Sequence, residues 1–134
     1  MMNYSQVALP ITVKAYLDAY NSFDVDRMLA YISPEIVFLH LTAGEITHRT
    51  ADADQCADLA RSAVTMFAER KQEVLSAIID GDRTTLHIEY MAEYMAHVAI
   101  DLPNGWRAGQ RIDLKGVSLF RLEQDLIIEI IDVV

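Results

Sequence analysis

The sequence predicts an α+β domain with a mostly antiparallel sheet. Three observations predict it. Helical periodicity fills the first half, strand periodicity fills the second, and the strand segments follow one another through short turns. The 134 residues match one domain, spanning 1–134, with no linker, repeat or low-complexity tract.

Pro10 suits an early helical position, and Val13, Tyr16, Leu17 and Tyr20 follow it on one apolar face. Asn21-Ser22-Phe23-Asp24 breaks this pattern, and Asp24 is placed to cap a short second helix with Met28, Leu29 and Ile32, which Ser33-Pro34 stops. Glu35 to Thr42 reads as a strand, and Ala43 to Thr50 as a loop or hairpin arm around Gly44. A third helix is predicted over Asp52 to about Glu69, with Cys56, Leu59, Ala60, Ala63 and Phe67 on its apolar face.

The period then changes. Gln72 to Ile79 reads as a strand, and Asp80-Gly81-Asp82 as a hairpin turn. Thr84 to Ala99 forms a long strand, and Arg111 to Leu122 and Leu126 to Val134 form two more across the turn at Glu123-Gln124-Asp125. Leu86, Ile88, Tyr90, Ala92 and Tyr94 share the face expected to meet the helices. His87, Glu89, Met91, Glu93, Met95 and His97 share the other, which suits solvent or a partner subunit. The C-terminal strand is nearly all apolar, so it belongs at the sheet centre or under an oligomer contact.

Composition narrows the function classes. Hydrophobic residues make up 52% and charged residues 23%, a globular balance. The net charge of -9 repels phosphate backbones and anionic lipid, which argues against nucleic-acid and membrane-surface roles. No apolar run reaches the ~20 residues that span a bilayer, and residues 1–6 lack the features of a signal peptide. The lone Cys56 cannot form an internal disulfide. A cytoplasmic location is the expectation.

Val13 to Asp26 resembles the opening helix and linker of the nuclear-transport-factor-2-like superfamily, and Ile36 to His40 resembles its first strand. Gly109 to Leu122 and Ile128 to Val134 resemble the closing strands of its SnoaL-like branch. The resemblance implies a cone-shaped sheet wrapped round a deep pocket, and often a homodimer through the outer sheet face. It implies functions ranging from ketosteroid isomerases, epoxide hydrolases and polyketide cyclases to non-catalytic binding domains.

Asp132 shares a strand face with Ile128 and Ile130 in an apolar run. A carboxylate buried there without a cation has a raised pKa, which suits a general acid or base near neutral pH. The resemblance places the acid/base Asp of SnoaL-like cyclases at this position. His40 falls where ketosteroid isomerases place their catalytic Asp, and Tyr16 where they place an oxyanion-donating tyrosine. Ser118 falls near their second oxyanion donor. Replacement at His40 and Ser118 argues against ketosteroid isomerisation itself. Tyr16 and His40 also have plain readings, as core packing and as a satisfied strand residue.

Tyr20, Phe38, Ile88, Tyr90, Tyr94, Trp106, Phe120 and Ile130 are the expected pocket lining. His87, Glu89, Glu93 and His97 have metal-ligand chemistry, but residues four apart on a strand lie roughly 13 Å apart, so one ion cannot hold them together. Arg111 and Asp113 share a strand face away from the expected pocket side, which disfavours an epoxide-hydrolase water-activating set. No metal and no cofactor is expected. The leading reading is acid/base proton transfer on a hydrophobic carbonyl or polyketide-like compound, with Asp132 and His40 as acid and base and Tyr16 and Ser118 orienting the substrate oxygen. The rival is a non-catalytic ligand-binding or dimerisation module.

Overall fold

The computed structural model describes residues 7–82 and 84–134, so the segment 1–6 lies outside the described residues. The order is α1 (Ile11–Asn21), α2 (Val25–Ala30), β1 (Ile32–Thr42), β2 (Glu45–Thr50), α3 (Ala53–Met66), β3 (Phe67–Gly81), β4 (Thr85–Val98), β5 (Arg111–Glu123) and β6 (Leu126–Val133). One curved sheet runs β2-β1-β6-β5-β4-β3. Only the β1–β6 pair is parallel, and the other four are antiparallel. The three helices cover one face. No helix among the described residues is long and apolar enough to cross a membrane.

Local chemistry sets the helix starts. Asp24 accepts the Arg27 amide at 3.1 Å and Asp52 accepts the Gln55 amide at 2.8 Å, each satisfying an otherwise unpaired donor of a first turn. Three boundaries differ from the sequence expectation. Ile32 belongs to β1 rather than to the second helix, because its side chain is drawn into the core beside Ile127. Ser33 and Pro34 therefore lie within the strand, at a break in pairing where proline's missing N–H costs no ladder bond. The third helix ends at Met66, and Phe67 to Lys71 extends β3 along the far end of β4. The hairpin arm at 45–50 is a full edge strand.

The core forms between the helices and the inner sheet face. Val13, Tyr16, Leu17 and Met28 meet Ile36, Ile88, Tyr90, Phe120 and Ile130 there. The predicted sidedness of the long strand holds, with Ile88, Tyr90 and Ala92 buried and His87, Glu89 and Met91 exposed. The apolar C-terminal strand sits centrally, between β1 and β5.

The outer face carries a cross-strand apolar row. Leu41 pairs with Val133, Val133 with Val117, and Val117 with Met91. Met91 is 51% exposed, and Leu119 beside the row is 37% exposed. His87 and Glu93 stand on this same solvent-facing side. Arg111 and Asp113 also lie there as an exposed pair at 3.0 Å, as the strand alternation requires.

β3 is an edge strand, and α1 satisfies part of its open side. Asn21 accepts the Gln72 amide at 2.8 Å and donates to its carbonyl at 3.3 Å. Asn21→Ala removes both bonds while leaving the helix intact. It should lower unfolding free energy by about 1–3 kcal/mol in urea denaturation.

Candidate active site

One cross-strand row on the inner face builds the site. His48 pairs with His40, His40 with Asp132, Asp132 with Ser118, and Ser118 with Tyr90. Register partners point to the same side of a sheet, so five strands deliver these groups as a continuous polar line. The adjoining row, Phe38–Ile130–Phe120–Ile88, is apolar. A hydrophobic wall therefore flanks the polar line.

Asp132 is enclosed by protein yet keeps accessible surface. Ser118 Oγ donates to its Oδ1 at 2.6 Å. No cation lies within ion-pair distance of it among the described residues. Burial disfavours the charged carboxylate and pushes its pKa up to about 6, against the smaller opposing effect of the Ser118 bond. The expectation of a raised carboxylate on the last strand agrees with this geometry.

Four tyrosines surround the carboxylate. Burial raises the pKa of Tyr16, Tyr20, Tyr90 and Tyr94, and the negative charge of Asp132 adds to each shift. All four phenols therefore stay protonated and can donate at neutral pH. Tyr16 packs edge-on against Phe120 at 5.7 Å, and Tyr90 lies tilted over Phe120 at 5.5 Å. Tyr90 donates to Gln72 Oε1 at 2.8 Å. The Tyr16 hydroxyl has no hydrogen-bond partner among the described residues, so it is a phenol able to donate to a ligand.

His40 lies beside Asp132 in register but forms no ion pair with it. Its ring meets that of His48 edge-on at 5.9 Å. Burial and the neighbouring His48 lower its pKa, so it is a neutral imidazole at pH 7. Asp132 and His40 thus share one face, and each keeps accessible surface.

One expected site residue sits differently. Ser118 is fully buried with its proton committed to Asp132, so it holds the carboxylate rather than a substrate oxygen. Trp106 lies half-buried in the 99–110 loop that leads into β5. Two surface depressions, one at Ser22–Asp26 beside Arg61 and one at Thr84 and Gln124, do not include Asp132.

The sequence reading missed Arg70 and Gln72. Both are buried on the inner face of β3. The Arg70 guanidinium stacks 3.8 Å from the Tyr20 ring centre and donates to the Tyr20 carbonyl at 3.2 Å. Their signal was two polar residues at period two running into Val74, of which only Gln72 fell inside the expected strand.

A family model described as a SnoaL-like domain matches residues 13–130. The chain belongs to the SnoaL-like family. No functionally curated protein matches it significantly. Among solved structures, it is similar to a ketosteroid-isomerase-like-fold protein from Catenulispora acidiphila, solved with trimethylamine. The TM-score is 0.74 at 15% identity, covering 93% of this chain and 85% of that one. A nuclear-transport-factor-2-like protein from Salmonella enterica gives 0.72 at 15% identity, covering 90% and 84%. A candidate polyketide cyclase from a Silicibacter species gives 0.65 at 25% identity, covering 90% and 84%.

The Asp132 shift has a stability consequence. A carboxyl whose folded pKa exceeds its unfolded value of about 3.9 favours folding at low pH, and that contribution is lost as pH rises toward about 6. Asp132→Asn should therefore stabilise the protein at pH 7.5, by up to about 3 kcal/mol for two pKa units. Urea unfolding should show the gain shrinking to nothing below about pH 4.

Proposed function

We propose that this SnoaL-like domain catalyses proton transfer on a small hydrophobic carbonyl compound. The observation that carries the reading is Asp132, an enclosed carboxylate without a counter-cation beside a free phenol. Asp132 Oδ2 takes a proton from the carbon next to the carbonyl. The C–H electron pair moves into the enolate, and the carbonyl oxygen gains negative charge. The Tyr16 hydroxyl donates to that oxygen in a poorly solvated site, where such a bond is strongest. Returning the proton to another carbon gives isomerisation. Attack of the enolate carbon on a second carbonyl gives cyclisation, with the new alkoxide taking the proton back from Asp132, and expulsion of a β-hydroxyl as water with that same proton gives dehydration.

At pH 7 both Asp132 and His40 are mostly unprotonated, so both enter as bases. Asp132 turns into the acid only after it has taken the proton. His40, one strand away, is placed to relay a second proton. The apolar row through Phe38, Ile130, Phe120 and Ile88 favours a ligand with a flat hydrophobic body. The small hydrophobic ligand, the homodimer and the cytoplasmic location belong to this proposal. A second copy would cover the outer row of Leu41, Val133, Val117 and Met91.

Two experiments test it. In D2O, the protein should accelerate deuterium uptake beside the carbonyl of cyclic enones, with the rate rising through about pH 6. Asp132→Asn should lose at least 100-fold, as loss of a general base does. Full exchange in that variant sinks the Asp132 assignment, whereas wild-type protein that gives no exchange above buffer sinks the enzyme reading and favours the binding module. Light scattering should give a dimer mass, and Leu119→Asp should give a monomer. A wild-type monomer at high concentration would remove the dimer.

A further inference from the structure

Tyr94 takes an unusual path. It stands opposite Leu114 on β5, while Tyr90 stands opposite Ser118. Yet the Tyr94 hydroxyl lies 2.7 Å from Ser118 Oγ, four residues further along β5 than its register partner. Its ring therefore runs along the strand and crosses Gly116. A Cβ at Gly116 would stand 2.9 Å from Tyr94 Cε2 and 2.7 Å from the Val133 carbonyl oxygen. The missing side chain at Gly116 is the space through which Tyr94 reaches Ser118.

Proton count orients the chain. A serine hydroxyl has one proton, and Ser118 gives it to Asp132 Oδ1 at 2.6 Å. Tyr94 must then donate to Ser118. Both bonds are short, and a donor that is itself accepting is strengthened. The two hydroxyls end on one carboxylate oxygen. Asp132 Oδ2 has no hydrogen-bond partner among the described residues, and the residue is only half-buried.

We propose that Tyr94 and Ser118 are positioning residues for Asp132, a two-hydroxyl relay that fixes Oδ1 and leaves Oδ2 alone to take and return the proton. The inference rests on the acid/base reading of Asp132. The relay does two things for that chemistry. It orients the carboxylate toward the free phenol of Tyr16. It also stabilises the ionised form against burial, which keeps Asp132 a base at neutral pH rather than a permanent acid. Ser118 is thereby assigned to the carboxylate, and Tyr94 to more than the lining.

Other groups face Asp132, and their charges bound the test. They are His40 and then His48 from β1 and β2, Tyr90 from β4, Tyr16 and Tyr20 from α1, Cys56 from α3, and Arg70 from β3. Between pH 4 and 8 the tyrosines and Cys56 stay neutral, and Arg70 keeps its charge. The imidazoles of His40 and His48 are the remaining ionisable groups on this face. Titrations are therefore run in the His40→Asn and His48→Asn background as well.

The deciding experiment is carbon NMR titration of the Asp132 carboxyl in the free protein. Ser118→Ala should raise its midpoint by about one pH unit, tenfold in proton affinity, because a bond to the charged form is gone. Tyr94→Phe removes one oxygen atom and should shift it the same way by less. Ser118→Thr should restore the wild-type value. Wild-type midpoints in both Ser118→Ala and Tyr94→Phe would overturn the relay. If Ser118→Ala does not fold, Tyr94→Phe decides alone. The titration needs no substrate, so it separates from the function. A shifted midpoint with no deuterium exchange would sink the catalysis and leave the relay standing.

Discussion

The burial of one carboxylate without a counter-cation is the constraint on which the site depends. Asp132 sits in an apolar strand, ringed by tyrosines, with one serine hydroxyl as its direct partner. Desolvation dominates over that single bond and moves its ionisation toward neutrality. A structural carboxylate would be expected to gather arginines or amides. This one is kept poorly compensated, at a cost in stability that is hard to explain by packing alone. Arg70 sharpens the contrast. It is the buried cation of the same face, yet it packs on Tyr20 and Phe23 and leaves Asp132 unpaired.

Sheet register turns this constraint into a site. The parallel pairing of β1 with β6 sets His40 beside Asp132, and the antiparallel pairing of β5 with β6 sets Ser118 on its other side. A slip of one residue in either strand would send these side chains to the outer face. The apolar row next to them therefore does double duty. Phe38, Ile130, Phe120 and Ile88 fix the register by burial, and they also border the polar line. Core and site are specified by the same alternation.

Most of the fold was legible because its signals are local. Alternation in the long strand, helical spacing around Tyr16 and turn chemistry at Asp80-Gly81-Asp82 each declare themselves within a few residues. The errors came where tertiary burial overrode local pattern, at Ile32 and at Phe67 to Lys71. Asp132 was legible as a lone acid among aliphatics, and a family resemblance supported it. The polar partners were harder. Ser118 looked like a donor to substrate, because nothing in sequence says which of two polar groups across a strand pair will claim its proton. Gly116 and Tyr94 lie 22 positions apart, and their contact exists only through the register of β4 with β5.

The account stands on the ionisation of Asp132, which can be read directly. Side-chain carbon NMR of the wild-type protein, titrated from pH 3 to 9 and assigned through Asp132→Asn, reports its midpoint. The account predicts a midpoint near 6, well above the exposed aspartates. A midpoint near 4 would mean that water or an unrecognised partner compensates the charge, and the acid/base assignment would fail.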